Sequence, residues 1–286
     1  MACMDGSETK TILITGASTG IGYECARRMS ELGWNVFAGV RKESDAKRVE
    51  ENLGKNVKAI LLDVTKPEHI DDAKSTLNES GVSLDGLLNN AGIAIGGPVE
   101  VLALEEFRRT FDVNFFGQIQ LIQALLPHLR ESKGRIVNMS SLAGKLSQPM
   151  MSAYCASKHA FEALSDSLRM ELAMFDIKVV VIEPGAIKTP IWDKGTNYAK
   201  TLGDSLPPKV KELYEKQIHA IGKAIHVAGK NGVSASLVAD ALESAMTSNR
   251  PKTRYKVGKD SKLGILAKTW LSDRSMDKVI LKNIGL

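Results

Sequence analysis

Tyr154 and Lys158 are the residues of this sequence whose types and spacing most directly suggest chemistry. Residues four positions apart project from one face of a helix, so a helix over 153–170 would place the ammonium one turn from the phenol. A phenol with a pKa near ~10 is a poor base at neutral pH, but a nearby positive charge favours its phenolate. The pair therefore predicts a tyrosine that exchanges a proton with a substrate oxygen.

A serine is expected beside this pair. Ser141 follows a predicted strand, and its hydroxyl would hold a substrate carbonyl in line with the phenol, with Ser140 as the neighbouring rival. Tyr-x-x-x-Lys pairs also occur on many ordinary helices as stacked surface residues, so the chemical interpretation depends on the elements around the pair. Cys155 has no accompanying His and Asp set and is interpreted as a packing residue.

The segment 15–22, TGASTGIG, has glycines at the spacing G-x-x-x-G-x-G between a predicted strand and a predicted helix. Glycine lets the backbone approach a pyrophosphate, whose charge is met by free N–H groups at the start of a helix. The pattern alone also describes a plain tight turn. At the first strand-to-helix turn of an alternating chain it indicates a dinucleotide site, with the predicted contacts Gly16, Ser18, Thr19, Gly20, Ile21 and Gly22.

The elements that must position these residues are six apolar, β-branched runs that alternate with segments of helical periodicity. The predicted strands are 11–15, 35–40, 57–62, 84–89, 135–139 and 178–182. Such alternation predicts a parallel sheet covered on both faces, an α/β fold. Right-handed crossovers make the sheet doubly wound and put ligands beyond the carboxyl ends of its strands, where every motif above falls.

One Rossmann domain is predicted over 1–286, because no internal repeat or low-complexity linker interrupts the alternation. Proline and glycine break the pattern over 187–234, at the end of a strand, where we expect a substrate lid. Residues 1–9 are polar and are predicted to be disordered. Residues 250–286 are predicted to form a C-terminal extension.

Composition excludes several classes of protein. The chain is 43% hydrophobic and 25% charged, which is typical of a globular protein and not of a disordered one. Three scattered cysteines without a CxxC pair, and five histidines without ligand spacing, predict neither disulfides nor a metal, so we expect a cytoplasmic protein. The sequence predicts no signal peptide or spanning helix. A net charge of +5 without a recognition motif argues against nucleic-acid binding.

Taken together, these motifs resemble the short-chain dehydrogenase/reductase family over roughly residues 9 to 190. The resemblance rests on TGASTGIG at 15–22, Asp63 after the third strand, Asn-Asn-Ala-Gly at 89–92, Ser141 and Tyr154-x-x-x-Lys158. It implies a Rossmann-fold oxidoreductase that uses NAD(P)(H) to interconvert a carbonyl and an alcohol. It also implies a set of cofactor contacts: Asp63, Val64, Asn90, Ala91, Gly92, Tyr154, Lys158, Pro184, Gly185, Ile187 and Thr189.

The same resemblance assigns the remaining catalytic roles. Ser141 rather than Ser140 matches the substrate-binding serine, because its thirteen-residue separation from Tyr154 is that of the family. Asn114 lies in the predicted helix that contains Phe107, Phe111 and Phe115, and it matches a residue that holds a water between a backbone carbonyl and Lys158. This water would complete a proton relay. We expect the protein to be a homodimer or homotetramer.

Arg41 bears on the choice of nucleotide. The end of the second strand reads Val40-Arg41, where an acidic residue would accept from the ribose hydroxyls and repel a 2′-phosphate. Arg41 can pair with a phosphate, so NADP(H) is predicted as the preferred cofactor. The alternative is that Arg41 is a surface residue of the turn. Thr19 supplies no second cation, so NAD(H) stays possible.

The run 185–192, GAIKTPIW, looks most like the retinol and 17β-hydroxysteroid dehydrogenase branch of the family. That likeness implies a lipophilic substrate such as a steroid, retinoid or ketone. Methionine and tryptophan at a lid are equally compatible with ordinary packing. The predicted apolar lining, beside Ser141 and Tyr154, is Leu146, Met150, Met151, Ile191 and Trp192.

Two other functional classes are compatible with the sequence. A catalytically silent nucleotide-sensing or scaffold protein would share this fold, because fold does not fix function. The tail 262–286 combines apolar residues with lysine and arginine, which also suggests a peripheral membrane contact. A tail that packs on its own core or on a second subunit is the preferred interpretation.

Overall fold

The computed structural model describes residues 9–190, 192, 201 and 206–286. Seven parallel strands form one sheet in the order β3-β2-β1-β4-β5-β6-β7. Their bounds are β1 Thr11–Ile14, β2 Asn35–Val40, β3 Val57–Leu61, β4 Gly86–Asn89, β5 Arg135–Met139, β6 Lys178–Pro184 and β7 Arg254–Val257. The predicted doubly wound α/β class is confirmed.

Helices cover both faces of this sheet. Before β6 they are α1 Gly20–Glu31, α2 Glu43–Leu53, α3 Pro67–Ser80, α4 Leu104–Phe111, α5 Gly117–Glu131 and α6 Ser152–Glu171. After β6 they are α7 Pro208–Asn231, α8 Ser236–Thr247, α9 Lys259–Trp270 and α10 Asp273–Ile284.

Side chains on successive strand positions point to opposite faces, so a strand covered on both sides must be apolar throughout. In β1, Ile12 and Ile14 pack in one core with α1 and α8, while Leu13 packs in a second core with α3 and α5. Residues 11–14 are fully buried. This double burial explains why the first strand is a continuous apolar run in the sequence.

The sequence missed β7. This strand has four residues, RYKV, pairs only with β6 at the edge of the sheet, and leaves its first three residues partly or fully exposed. Its pattern therefore lacks the apolar run that identified the other six strands.

Strand order reverses between β1 and β4, which are neighbours in the sheet although β2 and β3 separate them in the chain. The connections after β1 and β4 run in opposite directions from this point and leave a crevice at the carboxyl ends of the strands. The segments that carry the predicted site residues begin at those ends.

Part of the predicted lid lies in α7. Ile191 and residues 1–8 of the segment 1–9 that was predicted to be disordered lie outside the described residues. Within the described part of the chain, no helix is both long and apolar enough to cross a bilayer.

Candidate active site

The glycine turn follows β1 and leads into α1. Gly16 has a φ of +66°, a conformation that costs other residues but not glycine. Gly22 is buried, and a Cβ there would collide with the Gly16 carbonyl oxygen and with the Asn90 amide. The Gly16 carbonyl and the Asn90 side chain thus leave room only for glycine at position 22. Thr19 caps α1 without a side-chain hydrogen bond to its first turn, Ser18 precedes it, and Gly20 and Ile21 open the helix.

Thr15 and Asn90 join the turn after β1 to the turn after β4. The Thr15 hydroxyl oxygen accepts hydrogen bonds from the N–H groups of Asn90 and Ala91, both at 2.9 Å. The Asn90 side chain returns a bond of 2.8 Å to the Thr15 carbonyl. The tight backbone and this clamp form the narrow cradle that a pyrophosphate needs at a helix start, so the residues present fit a dinucleotide.

Asp63 and Arg41 lie at the ends of β3 and β2. Burial raises the pKa of Asp63, but hydrogen bonds from Thr65 and the charges of Arg41 and His69 outweigh it and lower the pKa below its usual value. Arg41 is exposed at this edge. Val64, in contrast, is 2% exposed and its side chain packs in the core.

Arg48 is a second cation near the glycine turn, and sequence reasoning missed it. It lies on α2, where its Nη2 donates to the Ser18 carbonyl at 3.0 Å and pairs with Asp45 at 2.5 Å. In the sequence, Arg48 is only a basic residue seven positions after Arg41. Its position near the nucleotide site becomes evident from the packing of α2 against the glycine turn. Arg41 and Arg48 thus place two guanidinium groups on the elements that meet at this edge.

Asn114 lies on the predicted helical stretch, at a point where the helix widens. It lies in a π-helical turn, Asp112–Phe116, between α4 and α5, and it is fully buried. Its Oδ1 accepts from the Ile93 N–H at 2.8 Å, while its Nδ2 donates to the Ile93 carbonyl at 2.9 Å and to the Ser157 hydroxyl at 3.0 Å. The wider turn directs this amide toward α6, in keeping with the frequent occurrence of π-turns at functional sites.

Lys158 is 4% exposed on α6, and its ammonium donates to the Met139 carbonyl at 2.7 Å. Burial lowers the pKa of Lys158 to about 8, against the opposing charge of Glu162. A Cβ at Gly92 would lie 3.7 Å from Lys158 Nζ and 3.3 Å from Asn114 Oδ1. The amide and the ammonium therefore face the same small region beside Gly92.

Tyr154 lies one turn before Lys158, whose Nζ is 6.0 Å from the centre of the phenol ring. Burial raises the pKa of Tyr154, and the neighbouring Ser141 hydroxyl only partly offsets this by favouring the phenolate. The direction is opposite to the lowering that the sequence predicts. The ammonium of Lys158 bonds the Met139 carbonyl and not the phenol. Desolvation therefore has the largest effect on the pKa of Tyr154.

Ser141 begins the 3₁₀ turn Leu142–Gly144, and its Oγ accepts from the Ala143 N–H at 3.1 Å. This cap fixes the serine at the end of β5, next to Tyr154. Ser140, the rival, is 4% exposed and its Oγ has no hydrogen-bond partner among the described residues. The structure thus brings Ser141, rather than Ser140, to the phenol.

The predicted apolar lining divides into two groups. Met150 and Met151 pack against the loop after β4: the Met150 carbonyl accepts from Gly97 N at 2.6 Å, and a Cβ at Gly96 would lie 2.9 Å from Met151 Sδ. Leu146 instead packs toward Gly264 of α9 and is 6% exposed. Leu146 is therefore turned toward the C-terminal helices.

The segment after β6 returns to the glycine turn. Thr189 approaches Gly20, where a Cβ would lie 3.2 Å from the threonine Cβ. Ile187, expected at the cofactor, is 3% exposed and packs in the core. Pro184 ends β6, and a Cβ on the next residue, Gly185, would collide with the carboxylate of Asp260.

Trp192 donates from Nε1 to the Ile187 carbonyl at 2.6 Å and packs against Gly229 of α7. This contact ties the segment after β6 to the long helix of the predicted lid. On the same helix the Tyr214 hydroxyl donates to Glu100 at 2.8 Å, in the region after β4. Helix α7 thus contacts the segments that follow β4 and β6.

A buried ion cluster lies behind Lys158 and was also missed from the sequence. Glu162, one turn further along α6, pairs with Lys145 at 2.8 Å and with Arg254 at 3.0 Å. Arg254 also lies 3.3 Å from Glu183, which is fully buried. Burial raises the pKa of Glu183, and the charge of Glu162 adds to this rise. The cluster joins α6, β6, β7 and the turn after β5.

A family model described as short chain dehydrogenase matches residues 10–198. Retinol dehydrogenase 7 of Rattus norvegicus is 36% identical over 96% of this chain and 88% of its own length. The NADPH-dependent 3-dehydrocapnine reductase of Ornithobacterium rhinotracheale is 35% identical over 95% and 96%. The 17-beta-hydroxysteroid dehydrogenase type 6 of Bos taurus is 33% identical over 96% and 89%.

Solved structures with the same architecture include a short-chain dehydrogenase from Streptomyces avermitilis, with a TM-score of 0.79 and 27% identity over 97% of this chain and 96% of that one. A short chain dehydrogenase/reductase from Burkholderia phymatum in complex with NAD gives a TM-score of 0.78 and 25% identity, covering 95% of each chain. The predicted retinol and hydroxysteroid branch is thus found among the relatives.

Proposed function

The chain belongs to the short-chain dehydrogenase/reductase family, and on that premise we propose that it is an NADP(H)-preferring oxidoreductase that interconverts a carbonyl and a primary or secondary alcohol. The observation that carries the proposal is the convergence of Ser141, Tyr154, Lys158 and Asn114 beside the glycine cradle. These side chains come from three separate segments of the chain.

The proposed roles follow from the contacts of each side chain. Ser141 holds the substrate oxygen in line with the phenol of Tyr154, which donates its proton during reduction and takes one back during oxidation. Lys158, one turn from Tyr154 on α6, holds the nicotinamide ribose. Asn114 keeps a water near the ammonium, so that protons can be exchanged with solvent. When bound, the nicotinamide supplies or accepts the hydride.

The raised pKa of Tyr154 supports a role as proton donor. A phenol that keeps its proton at neutral pH has one to give to a carbonyl oxygen, whereas the oxidative direction needs the phenolate.

The preference for NADP(H) is proposed from the two guanidinium groups at the edge of the nucleotide site. Arg41 follows β2 and Arg48 reaches the glycine turn, so both can meet a 2′-phosphate. The NADPH dependence named for the Ornithobacterium relative supports this choice. The Burkholderia phymatum neighbour binds NAD, so NAD(H) is proposed as a weaker alternative.

A lipophilic substrate is proposed from the apolar residues beside the phenol and from the relatives. Met150 and Met151 lie at the start of α6, close to Tyr154, and thioethers adapt to bulky apolar groups. The retinol and hydroxysteroid dehydrogenases among the relatives are named for such substrates.

We also propose that the protein is a homodimer or homotetramer and that it is cytoplasmic.

The test is a panel assay that follows nicotinamide absorbance with retinoids, steroids and small ketones, each with NADPH and with NADH. We expect turnover with at least one lipophilic carbonyl, faster with NADPH. A protein that binds the nucleotide but turns over no carbonyl or alcohol would instead support a silent nucleotide sensor or scaffold.

A further inference from the structure

Helix α9 exposes an apolar strip. Leu263, Leu266 and Trp270 are 65%, 54% and 80% exposed, and Leu271 at the helix end is 38% exposed. The spacing of three and four residues puts the first three side chains on one face of the helix. Single exposed apolar residues are ordinary, but an aligned set that includes a tryptophan is not. We call Leu263, Leu266, Trp270 and Leu271 the apolar strip.

The opposite face of α9 holds the helix on the protein. The Ser261 hydroxyl is buried and donates to the Glu183 carbonyl at 2.7 Å, while Asp260 accepts from Ala186 N at 2.6 Å. A Cβ at Gly264 would lie 3.1 Å from both Leu142 and Leu146. The orientation of the strip is therefore fixed by contacts to the turn that follows Ser141 and to the end of β6.

The segment 250–286, which contains α9, carries many more positive than negative side chains. From Arg250 to Leu286 there are ten lysine and arginine residues and three aspartates, whereas the whole chain carries a net charge of only +5. Asp273 pairs with Lys268 at 2.5 Å and Arg254 pairs with the buried Glu162, which leaves eight basic residues and two aspartates of this segment outside ion pairs in the described part of the chain. Lys259 lies one turn before Leu263 on the same face, and Lys262 one turn before Leu266.

We propose that the apolar strip docks the protein onto an anionic bilayer surface, with α9 lying in the plane of the interface. An aromatic residue with leucines enters the acyl boundary, while lysines at its edge meet the negative headgroups. Each basic residue near such a surface is worth roughly fivefold in affinity. The contact is peripheral, because a strip of four side chains covers one side of one helix.

A second copy of this chain fits the strip less well. A two-fold contact through α9 and α10 would bring each basic segment against its own copy, and like charges across an interface disfavour association. Negative headgroups, in contrast, complement the same lysines. Charge therefore selects the bilayer as the occupant.

The strip lies close to the candidate active site. Gly264, on the inner side of α9, faces Leu142 and Leu146, since a Cβ there would lie 3.1 Å from each, and Leu142 follows Ser141 directly. Docking through the outer side would hold the substrate side of the crevice near the membrane. The docking itself does not depend on the proposed function, since it rests on exposure and charge.

The test is sedimentation of the full-length protein with vesicles of phosphatidylcholine alone, or with roughly one-third phosphatidylserine. We expect at least about tenfold tighter binding to the anionic vesicles, weakening as salt is added. Trp270 emission should move to shorter wavelength in the bound state. Binding that ignores phosphatidylserine, or no binding at all, overturns the proposal.

Matched variants separate the strip from general surface properties. Leu266→Glu and the double change Lys259→Glu with Lys262→Glu should each lower vesicle affinity at least about tenfold. Met174→Glu, at a residue 81% exposed elsewhere, should leave it unchanged. Thermal unfolding checks that each variant is folded. If Leu266→Glu instead converts a dimer to a monomer in gel filtration and leaves vesicle binding unchanged, the strip is a subunit interface.

Discussion

The ammonium of Lys158 and the carbonyl of Met139 are 2.7 Å apart, which fixes the buried lysine to the last residue of β5. Ser141 lies two residues beyond that carbonyl. One strand end therefore positions both the serine and the lysine of the candidate site, and α6 adds Tyr154 between them. We expect substitutions of these side chains to differ from one another in their effects on nucleotide binding, turnover and stability.

Tyr154→Phe is expected to remove most turnover while leaving nucleotide affinity nearly intact. The ring still packs in its buried place, but it has no proton to transfer. Single-turnover kinetics and the nucleotide Kd measure the two effects separately. A variant that keeps more than about a tenth of the parent rate would exclude Tyr154 as the acid and base.

Lys158→Met is expected to stabilise the protein while abolishing activity. A folded-state pKa of about 8 against 10.5 means that the buried ammonium costs roughly 3 kcal/mol at neutral pH. The variant also loses the hydrogen bond to Met139, which stabilises the parent by about 1 kcal/mol. The free energy of unfolding should therefore rise by a net ~2 kcal/mol. Urea unfolding measures this difference.

The same variant has a pH signature. A lowered folded-state pKa penalises the folded parent fully below pH 8, and the penalty vanishes as the pH rises toward 10.5, where the unfolded chain also loses the proton. The stability gain of Lys158→Met should therefore shrink between pH 8 and 10.5. A gain that is constant with pH would show that the charge is not its cause.

Arg254→Met is expected to destabilise the protein strongly. It leaves Glu162 and the fully buried Glu183 without their shared guanidinium, and breaking a buried ion cluster costs about 3–5 kcal/mol. Arg169→Met is the control, because Arg169 also pairs with an acid on α6 but is substantially exposed. Its cost should stay below about 1 kcal/mol. Equal unfolding midpoints for the two variants would contradict the prediction.

Arg41→Ala is expected to weaken NADP(H) by about ten- to a hundredfold and to leave NAD(H) almost unchanged. The measurement is the ratio of kcat/KM for the two nucleotides. A parent that prefers NAD(H) would make Arg41 a surface residue.

Arg48→Ala tests the cation that only the structure reveals. Its guanidinium already bonds the Ser18 carbonyl and Asp45, so part of its charge is engaged and we expect a smaller loss, about three- to tenfold for NADP(H) alone. Lys47→Ala, on the exposed side of the same helix, is the matched control. Equal loss for NADP(H) and NAD(H) would indicate that Arg48 only shapes the glycine turn.

The sequence by itself determined the alternation of strands and helices, the glycine turn and the pairing of Tyr154 with Lys158. These features depend on local periodicity, on backbone sterics and on short spacings along one helix. The same local information placed Asn114 on a helix but did not show its π-turn, because a single inserted residue that widens one turn leaves no mark on apolar periodicity. It also missed β7, whose four residues lack an apolar run.

Only the tertiary structure decided which distant residues meet. Arg48 reaches Ser18 across thirty positions, and Arg254 reaches Glu162 across ninety-two. Burial likewise turned the pKa of Tyr154 upward, although local spacing predicted a lowering, because desolvation depends on everything packed around the phenol. Trp270 is exposed because α9 packs against the rest of the protein through the opposite face, which carries Ser261 and Gly264. Such contacts arise from packing between elements, which spacing along the chain does not encode.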